Sequence, residues 1–252
     1  MTKALLTALL LTLATPALAD AAASFNDGKW AMAVKEGRAE ATVASLTLSG
    51  RAQLVQAAYG TRDKAQALAI IAAAEADIEK ALAKAPGNAD ALFQKAVAIG
   101  YRAKLTKSPG LGKQSRQGFE AWRAAYPDNP LGWAAVAGWH GGAVATLGGF
   151  MASAILGAKA SEVDVGFARA LKLDPTSPVQ RVFYAETLLD LDKNNAEKAA
   201  KLLQGVGQLP ATDAYEALLR SHGVQIAAAL KAGDAKAAQA LSRRLSAFGG
   251  IA

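Results

Sequence analysis

The chain has 252 residues, 52% hydrophobic, 19% charged and 6% aromatic, with mean hydropathy +0.14, two histidines and no cysteine. This balance is too apolar for an intrinsically disordered chain. The lack of cysteine excludes disulfides, thiolate zinc sites, a cysteine nucleophile and a lipidated cysteine, and two histidines argue against a multi-histidine metal site, so neither metal nor cofactor is expected. Lys and Arg outnumber Asp and Glu by 28 to 21, for a formal charge of +7 and a pI near 9.6. That excess is too moderate to indicate nucleic-acid binding by itself.

Residues 1–19 carry a leader pattern. Lys3 supplies the positive region, Ala4 to Leu13 form a short apolar run, Pro16 breaks it, and Ala17-Leu18-Ala19 is a small-x-small cleavage pattern before Asp20. The run is about half the ~20 residues that a spanning helix needs, so a secretory signal peptide cleaved after Ala19 is expected rather than an anchor. The address implied is the periplasm of a bacterium or the exterior.

From Asp20 onward strand signals are nearly absent, and helical periodicity dominates. Over Lys64 to Ala85 the spacing places Ile71, Ala74, Ile78, Ala81 and Ala85 on one face, with Asp77, Glu79, Lys80 and Lys84 off it. Four prolines (Pro86, Pro127, Pro175 and Pro210) close helical stretches at intervals of 41, 48 and 35 residues. A tetratricopeptide repeat is about 34 residues, two antiparallel helices with proline after the second. Phe167/Ala170 and Ile78/Ala81 hold the large and small places before Pro175 and Pro86; before Pro127 Phe119 holds the large place, but Trp122 stands at the small one, a departure that implies a locally widened groove. Leu92/Ala96, Trp133/Ala137 and Arg181/Ala185 follow them, the last fitting only at its alanine. Turns are expected at Asn194-Asn195 and at Ala232-Gly233-Asp234. Capping boxes are expected at Ser161–Asp164 and Asp213–Glu216. The expectation is an all-α protein, a right-handed α-solenoid of stacked helical hairpins, with N-terminal helices over 20–60 and the solenoid over 61–252.

Two stretches depart from the repeat. Around 101–115 a basic insertion is expected. Lys95, Arg102, Lys104, Lys107, Lys113, Arg116 and Arg123 face one acid, Glu120, an excess equal to that of the whole chain beyond the leader. Arg102, Lys104, Lys107, Lys113 and Arg116 are therefore an anion-attracting patch, suited to an acidic partner, an anionic solute or weak contact with an anionic membrane, or else a solvated loop. Gly110–Ser115 is not a phosphate loop, because Lys107 stands where that motif needs glycine and Gln114 where it needs Ser or Thr. The second stretch, 134–158, has no Asp, Glu, Lys or Arg. Its six glycines oppose a transmembrane reading and predict a helix of about 15 residues, a break near Gly148-Gly149, and a short helix over Phe150–Leu156. Trp133, Trp139, His140 and Phe150 here, with Phe183 and Tyr184 on the helix after Pro175, line an apolar pocket or form plain core. His140 has no acid near it in sequence, and His222 is expected near a kink at Gly223. No nucleophile elbow, zinc-binding HExxH or dinucleotide motif occurs, so no enzyme is expected.

AIGYRAKL (Ala98–Leu105), LGWAAVAGWHGGAVATLGGFMASAILGA (Leu131–Ala158) and GFARALKLDP (Gly166–Pro175) resemble the tetratricopeptide-like domain of the regulator of microtubule dynamics family and its bacterial relatives. The Gly100-Tyr101 and Trp139-His140 pairs carry the likeness, which covers roughly residues 65–205. A more distant resemblance, in architecture and compartment, is to the tetratricopeptide T-component associated with TRAP transporters, which implies a small apolar ligand. Two functions follow as expectations. One is a non-enzymatic envelope scaffold binding a peptide or protein. The other is a small-molecule or lipid carrier with a pocket near residues 133–156.

Overall fold

Capping side chains set where the helices begin. The computed structural model describes residues 20–251, so the leader expected over 1–19 lies outside the described residues. Among the described residues the chain is all-α, with no strand. The thirteen α-helices are α1 (Ala21–Asn26), α2 (Trp30–Glu40), α3 (Val43–Val55), α4 (Lys64–Lys84), α5 (Ala89–Thr106), α6 (Pro109–Ala125), α7 (Pro130–Leu147), α8 (Gly149–Leu156), α9 (Ser161–Leu173), α10 (Pro178–Leu191), α11 (Ala196–Leu203), α12 (Ala214–Lys231) and α13 (Ala235–Leu245). A π-helical turn, Gln56–Gly60, follows α3. Asp20, Thr42, Asp63, Asn88, Ser108, Asn129, Ser177, Asp213 and Asp234 each accept a hydrogen bond from a backbone N–H in the first turn of a helix. Those donors have no partner inside the helix. Pro109, Pro130 and Pro178 take the first helical position, where a missing N–H costs nothing.

The stops follow the expected prolines with one exception. Helix α4 ends before Pro86, α6 before Pro127 and α9 before Pro175. Before Pro210, however, α11 has already ended at Leu203, and a 3-10 turn, Val206–Gln208, intervenes. The turns at Asn194-Asn195 and Ala232–Asp234 form where expected. So does the break between α7 and α8, at Gly148 with φ +76°, and no described helix is long and apolar enough to cross a membrane. Asp213 forms its cap, accepting from Glu216 N at 2.8 Å while the Glu216 carboxylate accepts from Thr212 N at 2.7 Å.

Three local expectations are corrected. The box at Ser161–Asp164 does not form. Ala160 precedes the helix without a side-chain cap, because Asp164 instead accepts from the Tyr184 hydroxyl and Lys198 Nζ, both at 2.6 Å. The basic stretch 101–115 is not a loop. Its extra residues lengthen α5 and α6, leaving only Lys107 and Ser108 between them. And α12 runs unbroken through Gly223, where a Cβ would meet Val182 Cγ2 at 2.6 Å; that glycine serves close packing rather than a kink.

Helices pack onto their neighbours in sequence, α2 on α3, α3 on α4, α4 on α5 and α5 on α6. Alternate helices also touch, α3 with α5 and α10 with α12, while α10 reaches back to α7. Ile71, Ala74, Ile78 and Ala81 are fully buried as the periodicity requires, and Ala85 is half-buried beyond the end of α4. Asp77 is the departure: it is 1% exposed. Its carboxylate accepts from Arg38 Nε (2.6 Å), Ser49 Oγ (2.8 Å), Gln53 Nε2 (2.9 Å) and Lys80 Nζ (3.3 Å), tying α2, α3 and α4 together. Burial pushes its pKa up, but these donors outweigh burial and hold it below the ordinary aspartate value.

The last helices return to the first. Arg51 on α3 pairs with Asp213 at 2.8 Å, and its guanidinium lies 4.5 Å over Phe25 and 5.6 Å over Tyr215. After α13, Phe248 N donates to Ala58 O (2.8 Å), and the ring of Phe248 packs on Tyr101 at 4.9 Å. Lys104 Nζ donates to Ala247 O at 2.9 Å.

Asp77→Ala leaves the buried Ser49 hydroxyl without its acceptor and takes the nearest acceptor from Gln53 Nε2, which keeps Ser49 O at 3.2 Å. We expect it to lower stability by about 1–3 kcal/mol, measured by urea unfolding; an unchanged midpoint would show that the network contributes nothing.

Candidate functional site

The side chains singled out along α7 and α10 are engaged with their own surroundings. Trp133 Nε1 donates to Pro127 O at 2.8 Å, and its ring carries Arg123 at 4.8 Å and Arg169 at 5.9 Å. Trp139 Nε1 donates to Gly112 O at 2.9 Å, with Arg116 5.3 Å over the ring. His140 is buried, meets Trp139 edge-on, and its Nδ1 accepts from Lys159 N at 3.2 Å. Burial holds its pKa below the usual value, with Glu162 opposing. Tyr184 stacks on Phe167 at 4.8 Å, and Phe183 packs at the edge of the same cluster. Phe150 points outward, 85% exposed, beside exposed Leu147 and Met151. The structure thus brings Trp139 and His140 together and leaves Phe150 apart from both. Neither of the two clefts described below draws a lining residue from 133–156.

The basic residues do not form one surface. Arg102 pairs with Glu75 (2.8 Å) and Lys95 with Glu79 (2.7 Å) across a cleft of about 290 Å³ that also takes in Ile78, Ile99 and Gln114. Arg116 pairs with Glu120 (3.4 Å) and donates to Leu156 O (2.9 Å), tying α6 to α8. Lys104 turns toward the C-terminal tail. Lys107, in left-handed conformation at φ +54°, and Lys113 stay exposed. A run of like charges was dispersed because successive residues of a helix point in different directions.

A larger cleft, about 510 Å³, opens where the last helices meet the first. The π turn and its sequel supply Ala58, Tyr59, Thr61 and Arg62; α12 supplies Leu218 and His222; α13 and the tail supply Arg244, Leu245, Ser246, Gly249 and Gly250. Tyr59 stands at its centre, 5.8 Å from the His222 ring and 6.1 Å from that of Tyr215. His222 is 7% exposed, and its Nδ1 has no hydrogen-bond partner in the protein. Burial alone lowers its pKa, so the ring is neutral near pH 7.

Titratable side chains of α5, α10 and α12 are electrostatically coupled to Tyr59. Glu186 is 8% exposed, with Oε1 unpartnered. Burial pushes its pKa up to about 8, Lys104 opposing and Asp190 adding to the rise. Burial depresses Lys104, with Asp190 and Glu186 opposing, although the side chain keeps exposed surface. The hydroxyls of Tyr59, Tyr101 and Tyr215 are all raised by burial, and each also feels Glu186. Buried polar atoms without partners and carboxyls with displaced pKa values concentrate at functional sites. Sequence reasoning singled out Lys104 and Tyr101 for other reasons and passed over Tyr59, Glu186 and Tyr215. None carries a motif, and they meet only through the return of α12 and the tail.

No family model matches the chain, and no curated protein matches it.

Glu186 gives the site a pH signature. Its folded pKa lies above the unfolded value of 4.5, so its contribution to stability is complete below that value and is lost as pH rises through about 8. Glu186→Gln removes the loss. Thermal melts of the variant should pull above those of the parent as pH rises from about 5 to 9; parallel curves would count against a buried, displaced carboxyl.

Proposed function

We propose that this protein is an exported, non-enzymatic helical-repeat protein, a tetratricopeptide-like right-handed α-solenoid, that binds a small molecule in the cleft where its last helices meet its first. The observation that carries the reading is His222 Nδ1, a buried polar atom without a partner in the lining of a cleft of about 510 Å³. A polar atom shut away from water costs free energy unless something satisfies it, and the cleft volume falls in the usual small-ligand range of about 300–1,000 Å³. The repeat reading is supported by the contacts of alternate helices, α3 with α5 and α10 with α12, beside those of sequential ones. The proline-terminated register around Ile78/Ala81 and Phe167/Ala170 supports it too. Binding is favoured over catalysis because no Asp or Glu lines the cleft beside His222. This reading sets the ligand in this cleft rather than near residues 133–156.

A second reading, the envelope scaffold, draws on the α7–α8 corner. Phe150, Met151 and Leu147 are exposed there on a stretch without charge, and exposed apolar clusters mark interaction surfaces.

Native mass spectrometry of protein purified without detergent separates the two. A co-purifying small molecule that is lost in a Tyr59→Ala variant is expected. A bare mass in the parent protein, together with a partner protein captured by the parent and not by Phe150→Ser, would favour the scaffold.

A further inference from the structure

Eleven arginines are present in the chain. Six form ion pairs: Arg38, Arg51, Arg102, Arg116, Arg169 and Arg243. Arg181 and Arg220 donate to backbone carbonyls, and Arg123 lies on Trp133. Among the described residues Arg62 and Arg244 are left without a carboxylate, carbonyl or aromatic ring, and both line the same cleft. No Asp or Glu lines it with them.

Their meeting is built by the tail. Arg62 follows Thr61, whose hydroxyl donates to Gln66 Oε1 at 2.6 Å and accepts from Asp63 N at 3.1 Å, fixing the exit from the π turn. Arg244 lies near the end of α13. Beyond it Ser246 Oγ donates to Arg243 O (2.9 Å), and Gly249 sits so close to the Arg243 and Arg244 carbonyls that no side chain fits there. The bond from Phe248 N to Ala58 O then pins this turn beside the π turn. Two arginines from distant parts of the chain thus line one opening. A guanidinium presents a planar fork of donors that matches a carboxylate or phosphate.

The rest of the lining is not made for a bare ion. Ala58, Leu218, Leu245 and the Tyr59 ring give an apolar wall, and His222 Nδ1 waits unpartnered at the buried end. An inorganic anion would leave that wall and that nitrogen unused.

We propose that the cleft takes a small organic anion, its charged group held between Arg62 and Arg244 and its apolar body laid along Leu218, Leu245 and Tyr59 toward His222. This rests on the ligand-binding reading above and adds the sign and shape of the ligand.

Isothermal titration calorimetry of the full chain with octanoate, octanamide and inorganic phosphate tests it. Octanoate should bind at least about tenfold more tightly than octanamide, since a hydrogen bond to a charged group contributes about 1.5–3 kcal/mol. It should also bind more tightly than phosphate. Arg62→Gln and Arg244→Gln should each weaken octanoate by about tenfold, with melting curves in the absence of octanoate unchanged because both side chains are exposed. Leu218→Ser should weaken octanoate and leave phosphate unaffected. Equal binding of octanoate and octanamide, or unchanged octanoate binding in the double arginine variant, would overturn the proposal, as would phosphate binding as tightly as octanoate. A neutral molecule co-purifying in the parent protein would likewise overturn the anion assignment while leaving the ligand-binding reading in place.

Discussion

Everything in this fold depends on helices approaching at backbone distance. Gly50 lies against Ile78, Gly166 against Ala137, Gly223 against Val182, and Gly141 directly against Thr187. At each contact a methyl group would collide. Dispersion acts over a few tenths of an ångström, so such contacts reward small residues and exclude large ones. The same closeness explains why alanine dominates the buried positions of α4 and why few bulky side chains are needed to fill the core. With little apolar area per residue, polar anchors gain importance. Asp77 gathers four donors from three helices, and Arg51 joins Asp213 and two aromatic rings.

The return of α12 and the tail onto α3 and α5 converts a row of helices into an enclosure. Tails that dock through one aromatic and a few backbone bonds are held by modest energy. Here Phe248 on Tyr101, Phe248 N on Ala58 O and Lys104 on Ala247 O act together. The consequence is electrostatic as much as steric. Glu186 on α10 raises the hydroxyl pKa values of Tyr59, Tyr101 and Tyr215, which come from three other segments.

Much of the helical order was legible in the chain. Proline and cap side chains act within one turn, so the starts at Asn88, Ser108, Asn129 and Ser177 and the stops before Pro86, Pro127 and Pro175 follow from local sterics and hydrogen bonding. The Gly148 break and the short helix after it follow from the same rules. Where a residue had a distant competitor, local reading failed. Asp164 left the cap at Ser161 for Tyr184 and Lys198, and Asp77 left solvent for Arg38, Ser49 and Gln53. The basic stretch failed for a simpler reason. Charge counted along the chain says nothing of direction, and helical rotation sent Arg102 to Glu75, Arg116 to α8 and Lys104 to the tail.

By itself, then, the sequence determined that the chain is helical, where several of its helices stop, and which face of α4 is apolar, because propensity, proline and periodicity are decided within a few residues. Only the tertiary structure decided that Arg62 and Arg244 line one cleft with Tyr59 and His222. Those encounters join segments that are far apart along the chain, and they exist only because the tail folds back onto the π turn after α3. Long-range closure of that kind leaves no period and no motif in the amino-acid order.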